Sequence, residues 1–104
     1  MNMNYQGMMK QAKILQKKMK EMQEEISNME FESSAGGGAV KIKVNGDQEI
    51  KEVKINSEMI DADDLDMLED MIMVATNDAI NKSKEEANKK MSSLTGGLNM
   101  PGMF

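Results

Sequence analysis

The chain has 104 residues, enough for one small domain, with a net charge of −5, 14 methionines and three aromatic residues. It holds no cysteine and no histidine, which excludes disulfides, thiolate metal sites and the commonest acid–base residue and metal ligand. It shows no leader-like opening and no apolar run near the roughly twenty residues that span a bilayer, so a cytoplasmic protein with no membrane partner is expected.

Met8, Ala12, Leu15, Met19, Met22, Ile26 and Met29 recur in alternating steps of four and three. That heptad seam predicts a helix from about Tyr5 to Asn28 that buries one narrow stripe against another helix. At roughly 100° per residue, Lys10, Lys13, Lys17 and Lys20 fall on the side opposite the seam. Residues 1–20 carry five lysines, Lys18 included, and no acid, whereas residues 21–32 carry five acids and no lysine.

Met29–Ala35 alternates as a strand, Gly36-Gly37-Gly38 breaks it, and Val40, Ile42 and Val44 alternate with Lys41 and Lys43 as a second strand. Asn45-Gly46-Asp47-Gln48 predicts a hairpin turn into a return strand at about Glu49–Asn56. Ile50 is out of phase with Val53 and Ile55, which requires a bulge or a sheet covered on both faces. Residues 58–70 hold seven acids and no lysine, and Asp61-Ala62-Asp63-Asp64 opens a second helix with Asp61 or Asp63 as N-cap. Leu65, Leu68, Ile72, Ala75 and Ala79 form its core stripe, while Met67, Met71 and Val74 lie largely outside it, so this helix is apolar on two sides. Ala75, Ala79, Ser83 and Ala87 form a ladder of small residues. Helicity should fade near Ser92-Ser93, giving a single domain over residues 1–94 and a Gly/Pro-containing tail over 95–104.

The class is therefore α+β: long N-terminal helix, three-stranded antiparallel meander, long C-terminal helix. So few bulky core residues are most easily stabilised by self-association, and a homodimer is expected. Its contact would use Met8, Ala12, Leu15, Met19 and Met22 on the first helix and Met67, Met71 and Val74 on the second.

No catalytic site emerges. The acids at 61–70 fail the calcium-loop spacing, because Leu65 stands where an oxygen ligand is required. They read as a capped helix start, with a weak divalent-ion site as the lesser option. Gly36-Gly37-Gly38 precedes a strand and lacks the Gly-Lys-Ser/Thr that would open a helix, so it is a turn and not a phosphate cradle. No enzyme, cofactor or small-molecule substrate is expected.

The lysine stripe has two readings, a solvated face or a polyanion contact. No acid precedes Glu21 to neutralise it, dimerisation would bring two stripes together, and Lys82, Lys84, Lys89 and Lys90 form a second basic cluster. The chain has no arginine, so bidentate reading of guanine is out of reach. Phosphate contact to double-stranded DNA remains. A protein–protein scaffold using the Met-rich surfaces and the acidic 58–70 segment is the rival.

Several stretches together carry a resemblance: Met8-Met9-Lys10-Gln11-Ala12, Gly36-Gly37-Gly38-Ala39-Val40-Lys41, Val44-Asn45-Gly46 and Ile50–Ile55. Further on come Leu68-Glu69-Asp70-Met71-Ile72, Ala75-Thr76-Asn77-Asp78-Ala79, Gly96-Gly97-Leu98 and Pro101-Gly102-Met103-Phe104. Their order resembles the YbaB/EbfC nucleoid-associated proteins over nearly the whole chain. The resemblance implies a tweezer-like homodimer in the bacterial cytoplasm, bound to the nucleoid, with a role in DNA organisation or gene regulation. It implies DNA-facing residues at Lys10, Lys13, Lys17, Lys18 and Lys20, and at Lys82, Lys84, Lys89 and Lys90.

Overall fold

A run without proline, broken by glycine only at Gly7, forms helix α1 over Asn2–Ser27. The computed structural model describes residues 2–96, with side chains for residues 5–94. Helix α1 closes as the Asn28 N–H reaches Glu24 O at 3.2 Å, and a 3.0 Å bond from Met29 N–H to Ile26 O turns the chain into β1 (Glu30–Ala35). Gly36, Gly37 and Gly38 then adopt φ of 65°, 68° and 100°, a left-handed run that side-chain-bearing residues resist. It reverses the chain into β2 (Val40–Asn45), and the expected hairpin leads to β3 (Ile50–Ile55).

The sheet order is β1-β2-β3, antiparallel throughout. Phe31, Ser33 and Ala35 stand opposite Val44, Ile42 and Val40, and Val53 and Ile55 stand opposite Ile42 and Val40 on the other side. Between Lys43 and Val44 the register slips, since Lys43 faces Glu52 while Val44 faces Ile50. Lys51 is the extra residue of this bulge, which brings Ile50 onto the face of Val53 and Ile55.

Helix α2 spans Leu65–Gly96, running past Ser92-Ser93. The tail residues 97–104 lie outside the described residues. The N-cap is Asp64, whose Oδ1 accepts the Met67 N–H at 3.2 Å, rather than Asp61 or Asp63. Asp61 instead accepts the Asp63 N–H at 2.9 Å through Oδ1 and the Asp64 N–H at 2.9 Å through its carbonyl. This side-chain turn competes with helix and delays its start. Leu65 is exposed, at the first helical position and a turn ahead of Leu68, where packing on the core begins.

Val40, Ile42, Val44, Ala75 and Ala79 form the core, surrounded by Phe31, Ala35, Leu68, Met71, Ile72 and Ile80. Burying each of the three β2 side chains contributes about 1.5–3 kcal/mol. The small residues at 75, 79 and 83 are fully buried, so α2 lies close on β1 and β2. It does not cover β3. Ile50, Val53 and Ile55 keep 45–50 % of their surface exposed on the same side as the buried β2 residues.

The molecule measures 76 × 25 × 15 Å, with a radius of gyration of 20.4 Å, where a compact chain of this length has about 13 Å. The excess length is helical: among the described residues α1 is tied to the rest of the protein at Glu25, Ile26 and Ser27, and its N-terminal half is exposed. Glu25 pairs with Lys90 of α2 there. Leu15, Met19 and Met22 are half-buried on α1, as are Ala87, Met91 and Leu94 on α2, whereas Met8 and Ala12 are exposed.

Candidate nucleic-acid interface

The seam of α1 fixes where its lysines stand. Ile26 is buried and Leu15, Met19 and Met22 are half-buried on one edge, the edge that continues into the contact with α2. Lys10, Lys13, Lys17 and Lys20 are exposed on the opposite edge, and Lys18 is exposed between the two. Helical periodicity puts the four within an arc of about 80°. None of these five lysines makes a salt bridge among the described residues. Charges held this way keep their attraction for a partner, subject to screening beyond about 8–10 Å.

The C-terminal lysines differ. Lys82 Nζ donates to Glu32 O at 3.1 Å and lies 3.6 Å from Asp78 Oδ2. Lys89 lies 3.9 Å from Glu86 Oε1, and Lys90 lies 3.2 Å from Glu25 Oε1. Lys84 alone of the four has no salt bridge among the described residues. Helical spacing sets Lys82 and Lys89 within about 20° of each other but Lys84 about 160° from Lys82. Thus α1 presents one coherent basic stripe, while the second cluster is dispersed and mostly compensated.

One basic feature escaped the sequence reading. Lys41 and Lys54 are directly opposite on the sheet face turned away from α2. Lys54 lies 3.0 Å from Glu52 Oε1, and Lys43 reaches Glu52 Oε2 at 3.8 Å. The hydrogen bond from Lys54 and its charge hold the Glu52 carboxyl below its ordinary range, and the same bond raises Lys54. Lys41 has no salt bridge among the described residues. Strand alternation places Lys41 on that face, but only the register pairs it with Lys54.

The acids at 58–70 cap and line the start of α2, and no group of three or more acidic side chains among the described residues is arranged to hold a metal ion. The glycines at 36–38 form a turn against α2, where a Cβ on Gly36 would overlap Met71 Sδ. No helix among the described residues is long and apolar enough to cross a membrane.

Of the residues expected at a dimer contact, Met67 and Val74 are exposed on α2, and Met71 is half-buried against the core. Helical spacing puts Met67 and Val74 on the flank of α2 that carries Asp78 and Lys82 to Ser33 and Glu32 of β1, a surface separate from that of Ile50, Val53 and Ile55.

Residues 1–98 match the family described as the YbaB/EbfC DNA-binding family. A nucleoid-associated protein of Clostridium acetobutylicum is 49 % identical over 100 residues, covering 96 % of this chain and 89 % of that protein. A nucleoid-associated protein of Oceanobacillus iheyensis is 49 % identical over 101 residues, covering 97 % of each. The crystal structure of an uncharacterized protein from Helicobacter pylori shares the fold, with a TM-score of 0.73 at 20 % identity over 84 % of this chain and 91 % of that one.

Proposed function

This chain belongs to the YbaB/EbfC DNA-binding family, and from that premise we propose that it binds double-stranded DNA as a homodimer through the lysines of α1. The carrying observation is the stripe itself: Lys10, Lys13, Lys17 and Lys20 exposed on one edge of a projecting helix, with no salt bridge to divert them. Lysine is a compact cation without the planar fork that reads guanine. The contacts are therefore to phosphates, tolerant of sequence and sensitive to salt. Lys18 borders the stripe, and Lys84 is the C-terminal lysine with most freedom to join it. Lys82, Lys89 and Lys90 would have to exchange an internal carboxylate for a phosphate.

The homodimer is supported by uncovered apolar surface. Ile50, Val53 and Ile55 on β3 leave a small core open on one side, Met67 and Val74 on α2 form a second exposed apolar surface, and a second copy would cover both. Two joined copies would carry two lysine stripes, and a duplex held by both gains from their linkage. In the cell this assigns the protein to the cytoplasmic nucleoid, in DNA organisation or gene regulation.

The test is a gel-shift titration with several unrelated duplexes from about 50 to about 300 mM salt, in which affinity should fall with a log–log slope of about −0.9 per phosphate neutralised. Similar slopes and affinities on all duplexes are expected. A flat salt response, or retention of protein partners after nuclease treatment with no duplex shift, would instead favour a scaffold using the exposed Met9, Met67 and Met73 and the acidic 58–70 segment.

A further inference from the structure

We infer that the Asn45–Glu49 hairpin turn is the brace that sets the direction of α1, with Gly46 as its positioning residue. The inference rests on the proposal that α1 carries the DNA-contacting lysines. Gly46 is buried although it lies in a turn. Its φ is not positive, for among the described glycines only 36, 37 and 38 are left-handed, and the left-handed position of this turn belongs to Gln48 at φ 62°. Glycine is therefore not required at 46 by backbone conformation. It is required by approach: a Cβ there would overlap the carbonyl oxygen of Ile26, the buried residue at the base of α1. Backbone meets backbone, so no rotamer change relieves the clash.

The turn grips both helices. Asp47 Oδ1 accepts the Ser27 hydroxyl at 2.8 Å, at the end of α1. Gln48 Nε2 donates to Gly46 O at 2.7 Å and to Ser83 Oγ at 3.1 Å. Ser83, fully buried on α2, donates to Asn45 O at 2.8 Å. Asn45 Oδ1 in turn accepts the N–H groups of Asp47 and Glu49 at 2.9 and 3.0 Å, which stiffens the loop. The end of α1 is thereby referenced to α2 through a rigid turn. Leverage makes this consequential. Lys10 lies sixteen residues from Ile26, about 24 Å along the helix, so a tilt of about 10° moves it about 4 Å. Successive phosphates on one strand advance about 3.4 Å along the duplex axis, so such a tilt moves each stripe by about one phosphate step and changes the gap between the arms of two copies.

The chain has no cysteine, so spin labels at Gln11→Cys on α1 and Asn77→Cys on α2 report arm direction within one chain, diluted with unlabelled protein. Gly46→Ala should shift the mean distance by about 4 Å and weaken duplex binding roughly tenfold, through fewer phosphate contacts, with the circular dichroism spectrum unchanged. Gln48→Gly keeps the left-handed position open while removing the link to Ser83, and should broaden the distance distribution even if Gly46→Ala does not fold. Unchanged distributions in the folded variants overturn the brace. A shifted arm with unchanged affinity overturns its role in DNA positioning. If the parent protein binds no duplex, the proposed function fails on its own, while the distance measurement still decides whether the turn directs the arm.

Discussion

Lys90 Nζ lies 3.2 Å from Glu25 Oε1, across 65 positions of sequence, and ties the C-terminal part of α2 to the base of α1. Both side chains retain solvent contact, so the pair is a surface salt bridge. Lys90→Ala should cost about 0.2–1 kcal/mol in urea unfolding at low salt, and less as salt rises. Because Lys90 already holds a carboxylate, its loss should weaken DNA binding less than Lys13→Ala does. A larger effect on DNA than on stability would place Lys90 in the phosphate contact.

The arm lysines make a sharper demand. Lys10→Ala, Lys13→Ala and Lys17→Ala should each remove two phosphate contacts per dimer, lower the salt slope by about 1.8 and weaken unrelated duplexes alike. Changing all three to glutamate should abolish the gel shift while sedimentation still reports the same assembly. Equal binding by that triple variant would refute the arm assignment.

Val53 and Val74 offer a test of the dimer face. Each is about half exposed, at 50 % and 56 %, and neither completes the core of its own chain, so lysine at either position should leave the monomer fold intact. A buried, unpaired charge in an interface is strongly unfavourable. The double variant Val53→Lys with Val74→Lys should sediment as one copy at micromolar concentration if these two surfaces join two copies. If it remains dimeric while Met8→Lys with Ala12→Lys dissociates, the contact lies along the α1 seam.

The fold was legible because its signals are local. Alternation at Val40, Ile42 and Val44, the glycine run at 36–38 and the out-of-phase Ile50 each name a strand, a turn or a bulge within a few residues. The α1 seam was legible as a stripe but not in its partner. Periodicity says that Leu15, Met19 and Met22 face apolar surface, and cannot distinguish α2 of the same chain from another copy. Asp61 and Asp63 looked like caps because an N-cap preference is shared by every aspartate before a helix, and only the side-chain turn at Asp61 moved the start to Asp64. The lysine content of the arm was evident from charge blocks. That Lys82, Lys89 and Lys90 are paired depends on Asp78, Glu86 and Glu25, and the last of these comes from a distant part of the chain.

Acid stability should expose the contact between α2 and β1. Ser33, buried on β1, donates its hydroxyl to Asp78 Oδ2 on α2, and Lys82 stands beside the same carboxylate. The Ser33 bond chiefly holds Asp78 below its ordinary value of 3.8; Lys82 adds to this, and partial desolvation opposes it. A carboxyl with a depressed folded-state pKa binds fewer protons than in the unfolded chain, so its contribution is fully present above the unfolded value and is lost as pH falls through the folded one. Urea midpoints of the parent should therefore decline below about pH 4, as Asp78 is protonated. Asp78→Asn removes the charge that Lys82 faces and has nothing to protonate. It should be less stable than the parent at neutral pH and show a shallower acid limb, the remaining slope including that of Glu52, which is lowered by Lys54. Parallel curves for the two proteins from about pH 7 to about pH 3 would show that Asp78 contributes no proton-linked stability at this contact.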